Sequence, residues 1–179
     1  MDFLELAKNR WSVRDYDARP VEQEKIDRIL EAARLAPTGA NRQPQRLYVL
    51  QSEEALARVR AATRMAFNAP LVIILCAKVE EAWHNQRETV MRGTVEDVYS
   101  VAEMDVSIVC DHMQLAATEL GLGTLWVRGY DTQALVDAFD FPEGVVPICI
   151  LDVGYPSATA KPAKMHADRK PLSETVEVW

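Results

Sequence analysis

Residues Val101 to Leu120 point apolar side chains in nearly every direction around a helix: Met104, Val106, Ile108, Val109, Met113, Leu115, Ala116 and Leu120. A helix without a polar face has to be covered on all sides. In a chain of 179 residues, part of that cover can come from a partner subunit. Gly121-Leu122-Gly123 stops the helix, with Gly121 as its left-handed cap.

The other elements are arranged to supply that cover. Leu71 to Ala77 and Val145 to Val153 are apolar and rich in β-branched residues, the pattern of buried strands. Leu47–Leu50 and Thr124–Val127 read as shorter strands. Amphipathic helices are expected near the N-terminus (Phe3, Leu4, Ala7), over Val21–Ala36, from a Ser52 cap onward, and from Asp131 or Thr132 to Phe139. Lys78–Ser100 is charged and carries few large apolar residues apart from Trp83, Val90, Met91 and Val95, which reads as broken helix or a flap. The result is a mixed α and β chain with about four core strands. At 49% hydrophobic and 26% charged residues it has the composition of a globular domain.

Twenty Lys and Arg against 27 Asp and Glu give a net charge of −7, the wrong sign for a nucleic-acid protein. A phosphate-bearing small molecule needs only a few local cations, so it is not excluded. The longest apolar run, Leu71–Ala77, falls far short of the roughly 20 residues of a membrane span. Met1–Arg19 lacks the apolar core of a targeting signal. Cys76, Cys110 and Cys149 each lie in an apolar run and read as buried thiols in a reducing compartment. A cytoplasmic protein without membrane or nucleic-acid partners is expected.

Four segments carry candidate chemistry. Arg10, Ser12 and Arg14 alternate, so in an extended segment they share one face. Two guanidinium forks and a hydroxyl are what a phosphate dianion binds best; the same triplet also suits a solvated surface run. Pro37–Pro44 is a loop of turn formers offering Thr38, Asn41, Gln43 and a flexible Gly39, either to a ligand or as a plain connection. Arg128-Gly129 follows a strand, where a glycine allows close approach to a ligand or simply makes the turn. Arg169-Lys170 adds late positive charge, on a site or on a solvated tail.

Other motifs fall short. Glu81 and His84 have the spacing of half a di-iron ligand set, but no second copy exists. Cys110 and His112 are two apart on a helix and diverge. There is no C-x-x-C, no G-x-S-x-G and no G-x-G-x-x-G after a strand. Trp83, His84, Arg87 and Arg92 read as a solvated face of the flap, with substrate contact as the alternative.

Taken together and in order, the segments resemble the FMN-dependent nitroreductases. The signature R-x-S-x-R-x-[FY] matches Arg10, Ser12, Arg14 and Tyr16; A-P-[ST]-x-x-N-x-Q-P matches Ala36–Pro44; G-L-G closes the long helix at Gly121–Gly123; R-[KR]-P-L-x-E matches Arg169–Glu174. Gln45 departs from the aromatic residue many members carry after Q-P. The resemblance implies one FMN-binding domain over residues 1–179. Its fold would be α+β, an α/β/α sandwich around a mostly antiparallel sheet. It would be a homodimer with the C-terminal tail exchanged onto the partner and FMN at the interface.

By the same resemblance Arg10, Ser12 and Arg169 would hold the phosphate. Arg14 would lie near N1 and O2 of the isoalloxazine, where a cation stabilises the anionic reduced ring. Pro37, Thr38 and Asn41 would reach the FMN from the other subunit, and Arg128 and Gly129 would present backbone N–H groups to N5 and O4. A further contact is expected somewhere in residues 63–68. The implied reaction is ping-pong: NAD(P)H reduces the flavin, and a nitro-aromatic, quinone or similar acceptor reoxidises it, with no side-chain acid or nucleophile and no metal. The other readings left open are a flavin store, sensor or flavin-consuming enzyme, and a non-flavin partner-binding module.

Overall fold

Alternation along one central strand explains the layers. In the computed structural model, which describes residues 2–83 and 100–179, β2 (Leu71–Lys78) lies between β1 (Gln45–Leu50) and β4 (Val145–Gly154). β3 (Gly123–Val127) flanks β4, giving the order β1-β2-β4-β3 with every pair antiparallel. Ile73, Leu75 and Ala77 enter one core and Val72, Ile74 and Cys76 the other. Both faces of the strand are buried, so its sequence is an unbroken apolar run. Each large side chain so buried contributes about 1.5–3 kcal/mol.

Helices cover both faces. The first core takes Ile26 and Ile29 from α2 (Gln23–Leu35) and Val106, Val109 and Met113 from α4 (Val101–Glu119). The second takes Leu56 and Val59 from α3 (Glu53–Ala62) and Leu135 from α5 (Thr132–Phe139). α1 (Phe3–Asn9) buries none of its residues. Ser52 caps α3 and Asp131 caps α5, each through the expected side-chain acceptor, and Ser100 with Glu103 forms a capping box at the start of α4. Gly121 ends α4 at φ 76°, where an L side chain would be strained.

The expected all-round cover of α4 is incomplete at two positions. Val106, Val109, Cys110, Met113 and Ala117 are fully buried, whereas Met104 is 49% and Ile108 40% exposed. After β4 the chain forms two short turns, Lys164–His166 and Leu172–Glu174, and leaves Met165, Leu172, Val178 and Trp179 exposed. Val79–Glu81 is a single 3-10 turn. The readings made on His84, Arg87, Val90, Met91, Arg92 and Val95 lie outside the described residues.

Among the described residues no helix is long and apolar enough to cross a membrane, and no cluster of His, Cys, Asp and Glu could hold a metal. All three cysteines are free and buried, and burial pushes the Cys76 thiol up to about 12. Asp152, on β4 opposite Val72 and Leu125, is fully buried with neither carboxyl oxygen hydrogen-bonded. Burial raises its pKa to about 8, against a partial opposing effect of Arg60.

Candidate functional site

An N-terminal arm, Arg10–Tyr16, lies along the outer edge of the sheet. Ser12 bridges Thr124 of β3 in parallel, Val13 N–H donates to the Thr124 carbonyl at 2.9 Å, and Tyr16 bridges Pro156. The segment is therefore extended where it meets β3: Val13 is buried between the half-buried Ser12 and the exposed Arg14, and Tyr16 is buried farther along. Asn68 fixes the far end by accepting from Tyr16 N–H at 3.0 Å and donating to its carbonyl at 2.8 Å. The Asp15 carboxylate accepts from Ser157 and Thr159, which ties the arm to the loop after β4.

Two glycines let the arm come this close. A Cβ at Gly123 would sit 2.3 Å from Val13 Cγ2, and one at Gly154 would sit 2.7 Å from Pro70 and 2.9 Å from Tyr16. Gly123 thus has two jobs: it follows the helix stop, and it gives the arm its seat.

Arg10, Ser12 and Arg14 line a cavity of about 180 Å³ together with Ala163, Met165, His166 and Arg169. The two ends of the sequence meet there. Arg14 donates to the Ser12 carbonyl at 3.1 Å, and Arg169 to the carbonyls of Met165 and Asp168 at 3.2 and 2.8 Å. None of the three guanidiniums has a carboxylate partner among the described residues, whereas Arg28, Arg34, Arg46, Arg58 and Arg128 each have one. Three guanidinium forks around one opening make a cradle with the chemistry to accept an oxyanion.

At the far end of β3 the turn Arg128-Gly129 is held from two sides. Thr63 Oγ1 donates to the Gly129 carbonyl at 2.6 Å and accepts from Met65 N–H at 3.0 Å. Arg128 pairs with Glu103 of α4 at 3.2 Å and reaches the Tyr130 hydroxyl. The 63–68 segment therefore supports both the turn, through Thr63, and the arm, through Asn68. Nothing in the sequence spacing signals either role.

Pro37, Thr38 and Asn41 do not line the cradle. Their loop is strained, with Ala40, Asn41 and Gln43 all at positive φ. It is held by the Thr38 hydroxyl, which accepts from Gln43 N–H, and by Asp105 of α4, whose Oδ1 accepts from Gly39 N–H at 2.8 Å. Asp105 is 3% exposed, and its pKa is raised by burial, with the Gly39 bond opposing. Asp105→Ala leaves the Gly39 amide without its acceptor. The expected cost is about 1–3 kcal/mol, seen as a lower urea midpoint with faster hydrogen exchange at Gly39. An unchanged exchange rate there would show that Asp105 does not hold the loop.

The fold is an α/β/α sandwich with an arginine-lined cavity at its sheet edge. The chain belongs to the nitroreductase family, whose model matches residues 7–67 and 59–155. A Methanothermobacter thermautotrophicus protein provisionally named NADH dehydrogenase/NAD(P)H nitroreductase is 32% identical over 164 residues, 88% of this chain and 78% of the relative. The crystal structure of a nitroreductase family protein from Clostridium difficile 630 is 40% identical, with a TM-score of 0.87 over 99% of this chain and 98% of that one. A provisionally named nitroreductase of Exiguobacterium sibiricum 255-15, solved in complex with FMN, is 25% identical with a TM-score of 0.77, covering 100% and 98% of the two chains.

Proposed function

We propose that this protein is an FMN-dependent oxidoreductase that takes reducing equivalents from NAD(P)H and passes them to a small oxidised acceptor such as a nitro-aromatic or quinone. The observation that carries the reading is the convergence of Arg10, Ser12, Arg14 and Arg169 on one cavity, with no carboxylate among the described residues paired to the three arginines. Those donors suit a phosphate dianion, so the residues present fit FMN. The FMN-bound relative supports the same choice.

Bound FMN would supply hydride acceptance and donation at N5. The chain's own part is to bind and to orient. Arg10, Ser12 and Arg169 would hold the phosphate, and Arg14 would offer positive charge to the ring. The Arg128-Gly129 backbone, kept in place by Thr63 and Glu103, presents amides to the N5–O4 side. No side-chain acid or nucleophile is assigned. Donor and acceptor use one site in turn, which makes the kinetics ping-pong.

We further read residues 1–179 as one FMN-binding domain that works as a homodimer. Met104 and Ile108 on α4 lack cover, and the exposed Leu172, Val176, Val178 and Trp179 form a tail suited to lie across a second copy. In such a dimer Pro37, Thr38 and Asn41, which stand apart from their own cradle, serve the partner's. The buried free thiols support a reducing, cytoplasmic setting.

The test is the visible absorption spectrum of the purified protein before and after anaerobic NADH or NADPH. We expect a flavin spectrum that bleaches within the mixing time of at least one nucleotide and returns when a quinone is added. Flavin that stays oxidised would favour a flavin store or flavin-consuming enzyme; a protein that takes up no FMN would point to a partner-binding module.

A further inference from the structure

The cradle contains one titratable side chain that no motif accounts for. His166 lines the cavity beside Arg10, Arg14 and Arg169. Its Nε2 lies 3.0 Å from the Lys8 carbonyl of α1. A carbonyl only accepts, so Nε2 must carry the hydrogen, and this contact fixes the tautomer. In the neutral ring Nδ1 is then a bare acceptor, with nothing to offer an anion. A proton on Nδ1 turns it into a charged donor.

Several charged groups surround the ring. Arg10 and Arg14 on the arm and Arg169 on the tail are all cations; Lys8 turns its carbonyl to the ring; Lys164 and Asp168 flank it on the tail, both exposed. A phosphate dianion in the cavity favours the charged ring.

We propose that His166 is a fourth phosphate ligand, which takes up a proton as the phosphate of FMN enters and donates a charged hydrogen bond from Nδ1. The proposal rests on the FMN reading above, and it adds a consequence: cofactor binding is linked to proton uptake, and the holoenzyme is tightest on the acid side of neutrality. No electron or covalent bond is exchanged; one proton passes from solvent to Nδ1.

The experiment is an FMN fluorescence titration of the full chain at pH 6, 7 and 8, for the wild type and for His166→Gln, with riboflavin as the ring without a phosphate. Glutamine can still donate an N–H to the Lys8 carbonyl, so the tail stays docked; an unchanged thermal midpoint verifies this, and His166→Asn serves as the second variant. Because the second ionisation of the phosphate, near pH 6, affects both proteins equally, the ratio of the two Kd values isolates the histidine. We expect His166→Gln to bind FMN about tenfold more weakly at pH 6, the ratio closing toward one at pH 8, and riboflavin affinity to be the same in both. A ratio that does not change with pH while the wild type binds FMN would overturn the role of His166 and leave the function standing. Failure of the wild type to bind FMN at any of these pH values would overturn both.

Discussion

Gly123→Ala is expected to weaken FMN binding about 100-fold while the sheet stays folded. A Cβ at this position meets Val13 Cγ2 at 2.3 Å, with Val13 Cβ and Pro156 Cγ at 3.0 Å. Val13 is fully buried, so it cannot swing aside within its own pocket. The arm has to lift, and lifting breaks the Val13–Thr124 backbone bond and carries Arg10, Ser12 and Arg14 out of register with Arg169. Loss of two charge-assisted hydrogen bonds, at about 1.5 kcal/mol each, corresponds to about two decades in Kd. The strain itself should cost about 1–3 kcal/mol of stability. Gly121→Ala is the control: its φ is +76° with nothing within 4 Å of the added carbon, so it pays only backbone strain, about 1 kcal/mol, and keeps its FMN. Equal FMN affinity in Gly123→Ala and wild type would show that the arm does not depend on this glycine.

The second large effect concerns Asp152. Its carboxyl is fully buried, has no hydrogen-bond partner, and titrates near pH 8 in the folded protein against an ordinary value of 3.8. The folded state therefore holds a proton that the unfolded chain has already lost over most of this range. Below about pH 4 both states are protonated and the residue costs nothing. As pH rises toward 8 stability falls, and above 8 the full loss, on the order of 5 kcal/mol, is in place. Asp152→Asn never ionises. Its urea midpoint should run nearly level from pH 5 to pH 9, while that of the wild type drops. Parallel pH profiles for the two proteins would refute the assignment of the slope to Asp152.

Much of this architecture is readable from residue order. The apolar, β-branched runs Leu71–Ala77 and Val145–Val153 mark the central strands, and Ser52, Asp131 and Gly121 mark where helices start or stop. The alternation of Arg10, Ser12 and Arg14 puts all three on one cavity because the arm is extended against an edge strand. Contacts between residues far apart in sequence carry no such period. Asn68 clamping Tyr16, Thr63 holding Gly129 and Asp105 holding Gly39 are each a single polar side chain inside an otherwise ordinary segment. His166 lies three residues before a recognisable motif and belongs to no pattern. The apolar girdle of α4 is legible too, but Met104 and Ile108 on it are exposed, and one sequence does not say how much cover comes from within.

The contact between Lys8 and His166 spans 158 positions of the chain. During synthesis the arm and all four strands leave the ribosome before the residues that close the cradle. A nascent chain can therefore build its sheet, but it has no complete place for an anion until translation has passed Arg169. Loading with cofactor is on this account a step that follows synthesis, and its yield is set by how much cofactor is available to the finished chain. A protease that trims the exposed tail ahead of His166 would unmake the site and leave behind a folded, colourless core.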